Sequence, residues 1–217
     1  MTKDQRLNFL AWSFSLLTMW LAFYAWLSLY DWMVWPLNAL QVFPLLGLWA
    51  FSLMWVHYVI GYIRDYADLG KESTKQFYKI TGYAVLVFLC LHPGLLIINL
   101  YQQGHGLPPL SYERYVAPGL GWVTLLGSAS LFVFLAFELR RWFDKKGWWH
   151  WIVDAGDFAM LAIVYHALRL GTNLGRGWYK SIWVVYAIVL TFIIAQKYFK
   201  RINSPKTKGS GTISKTN

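Results

Sequence analysis

Six apolar blocks, most of them near the length needed to cross a bilayer, constrain this chain more than any other feature. A hydrocarbon core of about 30 Å takes about 20 residues of helix, and lipid offers no water to an unpaired backbone amide, so such segments fold as helices. The blocks run from about Asn8 to Tyr30, Leu40 to Ile63, Ile80 to Tyr101, Pro118 to Leu139, Trp149 to Leu170 and Ser181 to Gln196. Turn and charge signals separate them: Asp31 with Pro36, Arg64 to Lys79, Gly104-His105-Gly106 with Pro108-Pro109, Arg140 to Gly147, and Gly171 to Gly177. Of the 217 residues 57% are hydrophobic and only 14% charged, against roughly a quarter charged in soluble domains. The expectation is an all-α polytopic membrane protein with six transmembrane helices over residues 8–199, between a short start at 1–7 and a polar tail at 200–217. That tail, rich in Lys, Ser, Thr and Gly, reads as disordered. The first block is too long for a cleavable signal sequence and lacks a small-residue cleavage site, which makes it a retained helix. No internal repeat is evident, and the lone Cys90 excludes a disulfide framework or a cysteine-built metal cluster.

Basic residues orient the bundle. With the N-terminus inside, the inner segments hold Lys3 and Arg6, then Arg64, Lys71, Lys75 and Lys79, then Arg140, Arg141, Lys145 and Lys146, and six more from Lys197 onward. The outer segments hold only Arg114, Arg169, Arg176 and Lys180. Sixteen against four is a positive-inside bias that puts both termini in the cytoplasm, in a cell or bacterial inner membrane. The net charge of +10 then belongs to an inner face beside anionic lipid and calls for no nucleic acid. Trp32, Trp35, Trp148, Trp149 and Trp178, near block ends, fit interfacial belts.

Chemistry has to come from polar groups inside the blocks, where an ionisable residue is costly. His57 lies in the second block, His92 in the third, and His150 and His166 toward opposite ends of the fifth, while His105 is in an outer loop. The third and fifth blocks run parallel, from inside to outside. At 1.5 Å per residue, His92 stands about 18 Å and His166 about 24 Å from the inner ends of their blocks, so both fall in the outer half of the bilayer. Two neutral imidazoles facing each other across a bundle can act as axial ligands to a haem. The same spacing equally suits two histidines that hydrogen-bond neighbouring helices.

The stretch GYAVLVFLCLHPG, preceded by Lys79, and the stretch from Trp148 to Gly171, ending VYHALRLG, resemble the third and fifth helices of the ferric reductase-like transmembrane domain family. Between them, Gly121 to Arg141 has small residues followed by basic ones and is similar to the family's fourth helix. The family includes the haem domains of ferric reductases and NADPH oxidases and the bacterial haem subunit of the periplasmic methionine sulfoxide reductase system. The resemblance covers about Leu40 to Gly171. It implies a haem-binding helical bundle engaged in electron transfer, with the outer haem ligands at His92 and His166. Where two-haem members carry their inner ligands this chain has Tyr78 and Val153. The resemblance therefore implies one haem b near the outer face and no inner one.

The inner half is not purely apolar. His150, Asp154 and Asp157 share a stripe of the fifth block, and at 100° per residue Asp157 points about 180° away from His166. His57 lies about 10 Å above the inner end of its own block, at a depth like that of Asp154 and Asp157. Three readings stand side by side: a proton or quinone site in which Asp157 accepts a proton, an inner haem on His57 and His150, or a hydrogen-bonded helix junction. Outside, Arg169 follows His166 by about one turn and, with Arg114, Arg176 and Lys180, is placed to pair haem propionates or an anionic substrate; snorkelling explains the same residues. There is no Gly-rich phosphate loop and no room for a flavin or nicotinamide domain, so a role as an oxidoreductase subunit needs an outside electron source. The function expected is a single-haem b-type protein that passes electrons between a quinone or partner-protein donor and an extracytoplasmic acceptor. The alternative is a haem-free membrane protein that moves a proton or solute, or anchors a partner, through His57, His150, Asp154 and Asp157.

Overall fold

The computed structural model describes residues 1–33, 35–138, 145–175 and 177–203, with the backbone alone at 137 and 138. Among the described residues the structure is helical, with no strand. The helices are α1 (Lys3–Leu29), α2 (Ala39–Tyr66), α3 (Lys75–Gln102, entered through a 3-10 turn at Lys71–Thr74), a single-turn α4 (Tyr112–Tyr115), α5 (Gly121–Glu138), α6 (Trp149–Leu170) and α7 (Gly177–Asn203). Five of them, α1, α2, α3, α6 and α7, are long and apolar enough to cross a membrane. The expected fourth span is α5, whose apolar stretch is shorter, Gly121–Ala136. Its expected end at Leu139, with Arg140 and Arg141, lies outside the described residues, as does Arg176.

Helix ends depart from the apolar blocks wherever polar side chains extend the helix. α1 starts at Lys3 rather than Asn8 because Thr2 and Gln5 form a reciprocal capping box, with hydrogen bonds of 2.9 and 3.2 Å. Asn38 and Gln41 make the same box at the start of α2. α7 runs on to Asn203 rather than stopping at Gln196, so the expected tail begins as helix; residues 204–217 lie outside the described residues.

Packing follows from what lipid cannot supply. Lipid tails are as apolar as leucine, so helices associate through close packing and through polar groups that find each other. α2 is the central helix, with 61% of its most apolar window buried against 17% for α3. Three indole N–H groups fasten it to its neighbours through backbone carbonyls: Trp26 to Gln41 (2.7 Å), Trp49 to Met19 (3.1 Å) and Trp55 to Tyr186 on α7 (3.0 Å). Phe51 of α2 stacks on Trp183 of α7 with ring centroids 4.3 Å apart. Beyond that, α2 packs most extensively on α3, and α5 on α6, while α3 and α5 touch only sparingly. The bundle is therefore built on two helix pairs, α2 with α3 and α5 with α6, with α1 packed on α2 and α7 bridging the pairs.

The tightest polar bridge between the pairs centres on Asp157 of α6. Its carboxylate accepts from Tyr58 of α2 at 2.9 Å and from the Lys197 ammonium of α7 at 2.5 Å. Further toward the start of α6, Arg201 of α7 donates to both oxygens of Asp154, at 3.1 and 3.0 Å. Asp157 keeps only 4% of its side-chain surface exposed and Lys197 41%, so the cation can turn to water and the carboxylate cannot. Breaking a buried pair from the exposed side strands the buried charge. Lys197→Met is therefore expected to destabilise the protein in detergent by roughly 3 kcal/mol. Asp157→Asn, which keeps an acceptor for Tyr58, is expected to cost about 1 kcal/mol. Thermal unfolding that ranks the two in the opposite order would contradict this.

Candidate functional site

Where the two helix pairs face each other without touching closely, a cleft opens. Its walls come from α2, α3, α5 and α6, and Trp183 of α7 and Tyr112 and Tyr115 of α4 also line it. Aliphatic and aromatic side chains dominate the lining, and among the described residues no charged one contributes to it. Two histidines do: His92 from α3 and His166 from α6.

Both imidazoles are held in the same way. The Nδ1 of His92 is 2.7 Å from the carbonyl oxygen of Phe43 on α2, and the Nδ1 of His166 is 2.8 Å from that of Val123 on α5. A carbonyl only accepts, so Nδ1 carries the proton in each ring, which leaves the neutral Nε2 with its lone pair. No described side chain or carbonyl bonds either Nε2. In a helix each of these carbonyls also accepts the N–H four residues on, from Gly47 and Gly127 respectively. The rings pass directly over those glycines. A Cβ added to Gly47 would lie 2.7 Å from Cε1 of His92, and one added to Gly127 would lie 2.7 Å from Cε1 of His166. The ring of Phe43 also flanks His92, at 5.4 Å between centroids, and leads on to Tyr115 at 5.8 Å. Tyr112 ties α4 to α5 through Ser128 (3.3 Å).

The remaining sequence candidates go elsewhere. The Nε2 of His57 is 2.7 Å from the Thr81 hydroxyl, and that hydroxyl donates its only proton to the Phe77 carbonyl. His57 must therefore donate through Nε2, the reverse of the arrangement at His92 and His166. Tyr78 closes over it, its hydroxyl on the His57 carbonyl at 3.1 Å and its ring 4.9 Å away. His150 is exposed at the start of α6, with Nδ1 on the Gly147 carbonyl. Asp154 and Asp157 are committed to Arg201, Lys197 and Tyr58. So the structure does not gather His57, His150, Asp154 and Asp157 into one site: Asp154 and Asp157 both reach α7, His57 turns to Thr81 of α3, and His150 is exposed.

Arg169 also departs from expectation. It is exposed at the C-terminal end of α6 and does not line the cleft, and Arg114 and Lys180 are likewise exposed. The reason is angular. The cleft takes Ile163, His166, Ala167 and Leu170 from α6, and at 100° per residue these centre on a direction roughly 110° from Arg169. Cys90, two residues before His92, is exposed on the far side of α3. Sequence reasoning missed Gly47 and Gly127, although an isolated glycine inside a helical block is the usual mark of close approach. It also missed Lys197 and Arg201 as partners of the two aspartates, having assigned them to the inner positive charge.

Compared with protein-family models, with curated proteins and with solved structures, the chain matches none. The local chemistry gives one expectation here. Thr81→Val should leave the Nε2–H of His57 without an acceptor and cost about 1–3 kcal/mol. It should leave the cleft unchanged, because His57 does not line it. Thermal unfolding reads the cost; a variant as stable as the parent would contradict the bond.

Proposed function

We propose that this chain is a six-span membrane protein with both termini in the cytoplasm, and that it transfers electrons through one haem b held between His92 and His166 near the outer face. One observation carries the reading: two neutral imidazoles from opposite helix pairs line one apolar cleft, each with Nδ1–H tied to backbone and Nε2 unbonded. Anchoring the outer nitrogen to a carbonyl is the usual way a ligating histidine is oriented and made more basic.

The donor set also fits the group. Among the described residues no three His, Cys, Asp or Glu side chains lie together as a bare metal ion would require. His92 and His166 would hold a metal whose other ligands come with a macrocycle. A single cysteine cannot provide the paired thioether attachment of c-type haem, which favours non-covalent haem b. When bound, the haem supplies one-electron chemistry. The protein's part is to hold and orient the two imidazoles, to exclude water with the lining around them, and to keep charge away from the cleft wall. Arg169, with Arg114 and Lys180, is then available only at the outer rim, for propionates that reach it or for an anionic acceptor. His57 has its Nε2 spent as a donor and His150 is exposed. Neither offers a second axial pair, in keeping with a single haem. A quinol or a partner protein is the proposed electron donor and an extracytoplasmic molecule the acceptor.

The test is a reduced-minus-oxidised spectrum of the purified protein with haem counted per chain. One haem per chain is expected, lost in His92→Ala and in His166→Ala and retained in His57→Ala and His150→Ala. No b-type signal, or one that survives both of the first two substitutions, sinks the proposal. Sidedness has its own check: in a Cys90→Ser background, an impermeant thiol reagent added outside should label His105→Cys and not Lys146→Cys.

A further inference from the structure

We infer that Gly47 and Gly127 are positioning residues that aim the two imidazoles, so that the cleft is built from one three-part unit used twice. The unit is a mid-helix glycine, the carbonyl four residues before it, and a histidine from the neighbouring helix. What the imidazoles meet rests on the haem reading above; the seats themselves rest on geometry.

Neither glycine is there for a left-handed backbone, since both sit within regular helix. What the structure uses is the missing side chain. A Cβ on Gly47 would stand 2.7 Å from Cε1 and 2.8 Å from Nδ1 of His92. A Cβ on Gly127 would stand at the same 2.7 and 2.8 Å from the corresponding atoms of His166. At distances under 3 Å something must shift; the nearest atoms belong to the imidazole, and a shifted ring has two consequences at once. The Nδ1–H bond to Phe43 or Val123 breaks, and with it go the ring's orientation and the reason for Nε2 to be the unprotonated nitrogen. Gly82 and Gly94, in the same helix as His92, have no such part: a Cβ on either would meet nothing within 4 Å.

The matched geometry also makes the two ligands equivalent donors. Each has the same hydrogen-bond partner type at nearly the same length, so neither imidazole is the weaker base by construction. Filling one seat should make the pair unequal, one ring firm and the other loose. Partners of a ligating histidine typically contribute about 10–100-fold in metal affinity.

The experiment compares Gly47→Ala, Gly127→Ala and the control Gly82→Ala with the parent by haem titration and by carbon monoxide addition to the reduced protein. Each seat variant is expected to bind haem roughly 10–100-fold more weakly and to take up carbon monoxide, which the parent and the control do not. Parent-like affinity and no carbon monoxide uptake in both seat variants overturn the inference. Histidine nitrogen NMR of the haem-free parent gives a readout that needs neither haem nor a variant. The Nδ1–H form is expected for His92 and His166, and the Nε2–H form at either overturns the seat. If the parent takes up no haem, the proposed function falls by itself. Loss of the Nδ1–H signature in the two seat variants would then still uphold the seats, and its survival would overturn them.

Discussion

An N–H group carried into the interior of an apolar helical bundle has no water to turn to, and nearly every helix N–H and C=O is already engaged. What remains is the second lone pair of each helix carbonyl. The indoles of Trp26, Trp49 and Trp55 use that acceptor to join α1 to α2 and α2 to α7. The imidazoles of His92 and His166 use it to join α3 to α2 and α6 to α5. For an indole the bond is only a fastening, because the ring has no other polar atom. An imidazole has two nitrogens, so satisfying one decides the state of the other. A requirement of the apolar interior thus leaves a lone pair at the cleft, and the proposed haem function grows out of that lone pair.

The two ends of the molecule treat the gap between the helix pairs in opposite ways. Toward the start of α6, Asp157 is bonded to both α2 and α7, and Asp154 to Arg201, so carboxylates and cations close the gap. Toward its other end the pairs separate around the cleft, and the described residues that face in are neutral. α7 bridges both regions, with Lys197 in the polar clasp and Trp183 in the lining of the cleft. Rotation of α6 is therefore constrained by charge at one level while His166 is seated at another. This coupling is why Asp157 and His166, on opposite faces of one helix, belong to one design.

Much of the architecture was legible in the residues. The apolar blocks anticipated the long helices, and the capping boxes at Thr2 and Asn38, once read, account for where α1 and α2 begin. The depths of His92 and His166 could be counted from the block ends, and the opposition of Asp157 and His166 follows from 100° per residue. Less legible were the partners. His57 and Asp157 share a depth, yet one bonds Thr81 and the other Tyr58 and Lys197. Gly47 and Gly127 stayed hidden because a glycine in an apolar block gives no sign of which side chain crosses it. The repeated unit they form is invisible as a sequence repeat, since each histidine follows its glycine at a different interval and through a different loop.

The division has a physical origin. Rise and turn per residue are local properties of the helix, so the chain alone determines which segments are helical, how they are capped, how deep each polar residue lies and which residues share a face. The rotation of each helix about its axis is not local: it depends on which neighbours supply a carbonyl, a carboxylate or the gap left by a missing Cβ. Only the tertiary structure decided that His92 and His166 turn toward one cleft, that His57 is spent on Thr81, and that Arg169 looks away. It decided these because an interior N–H is satisfied by whichever acceptor the packed neighbour presents, and that choice is made between helices rather than along one.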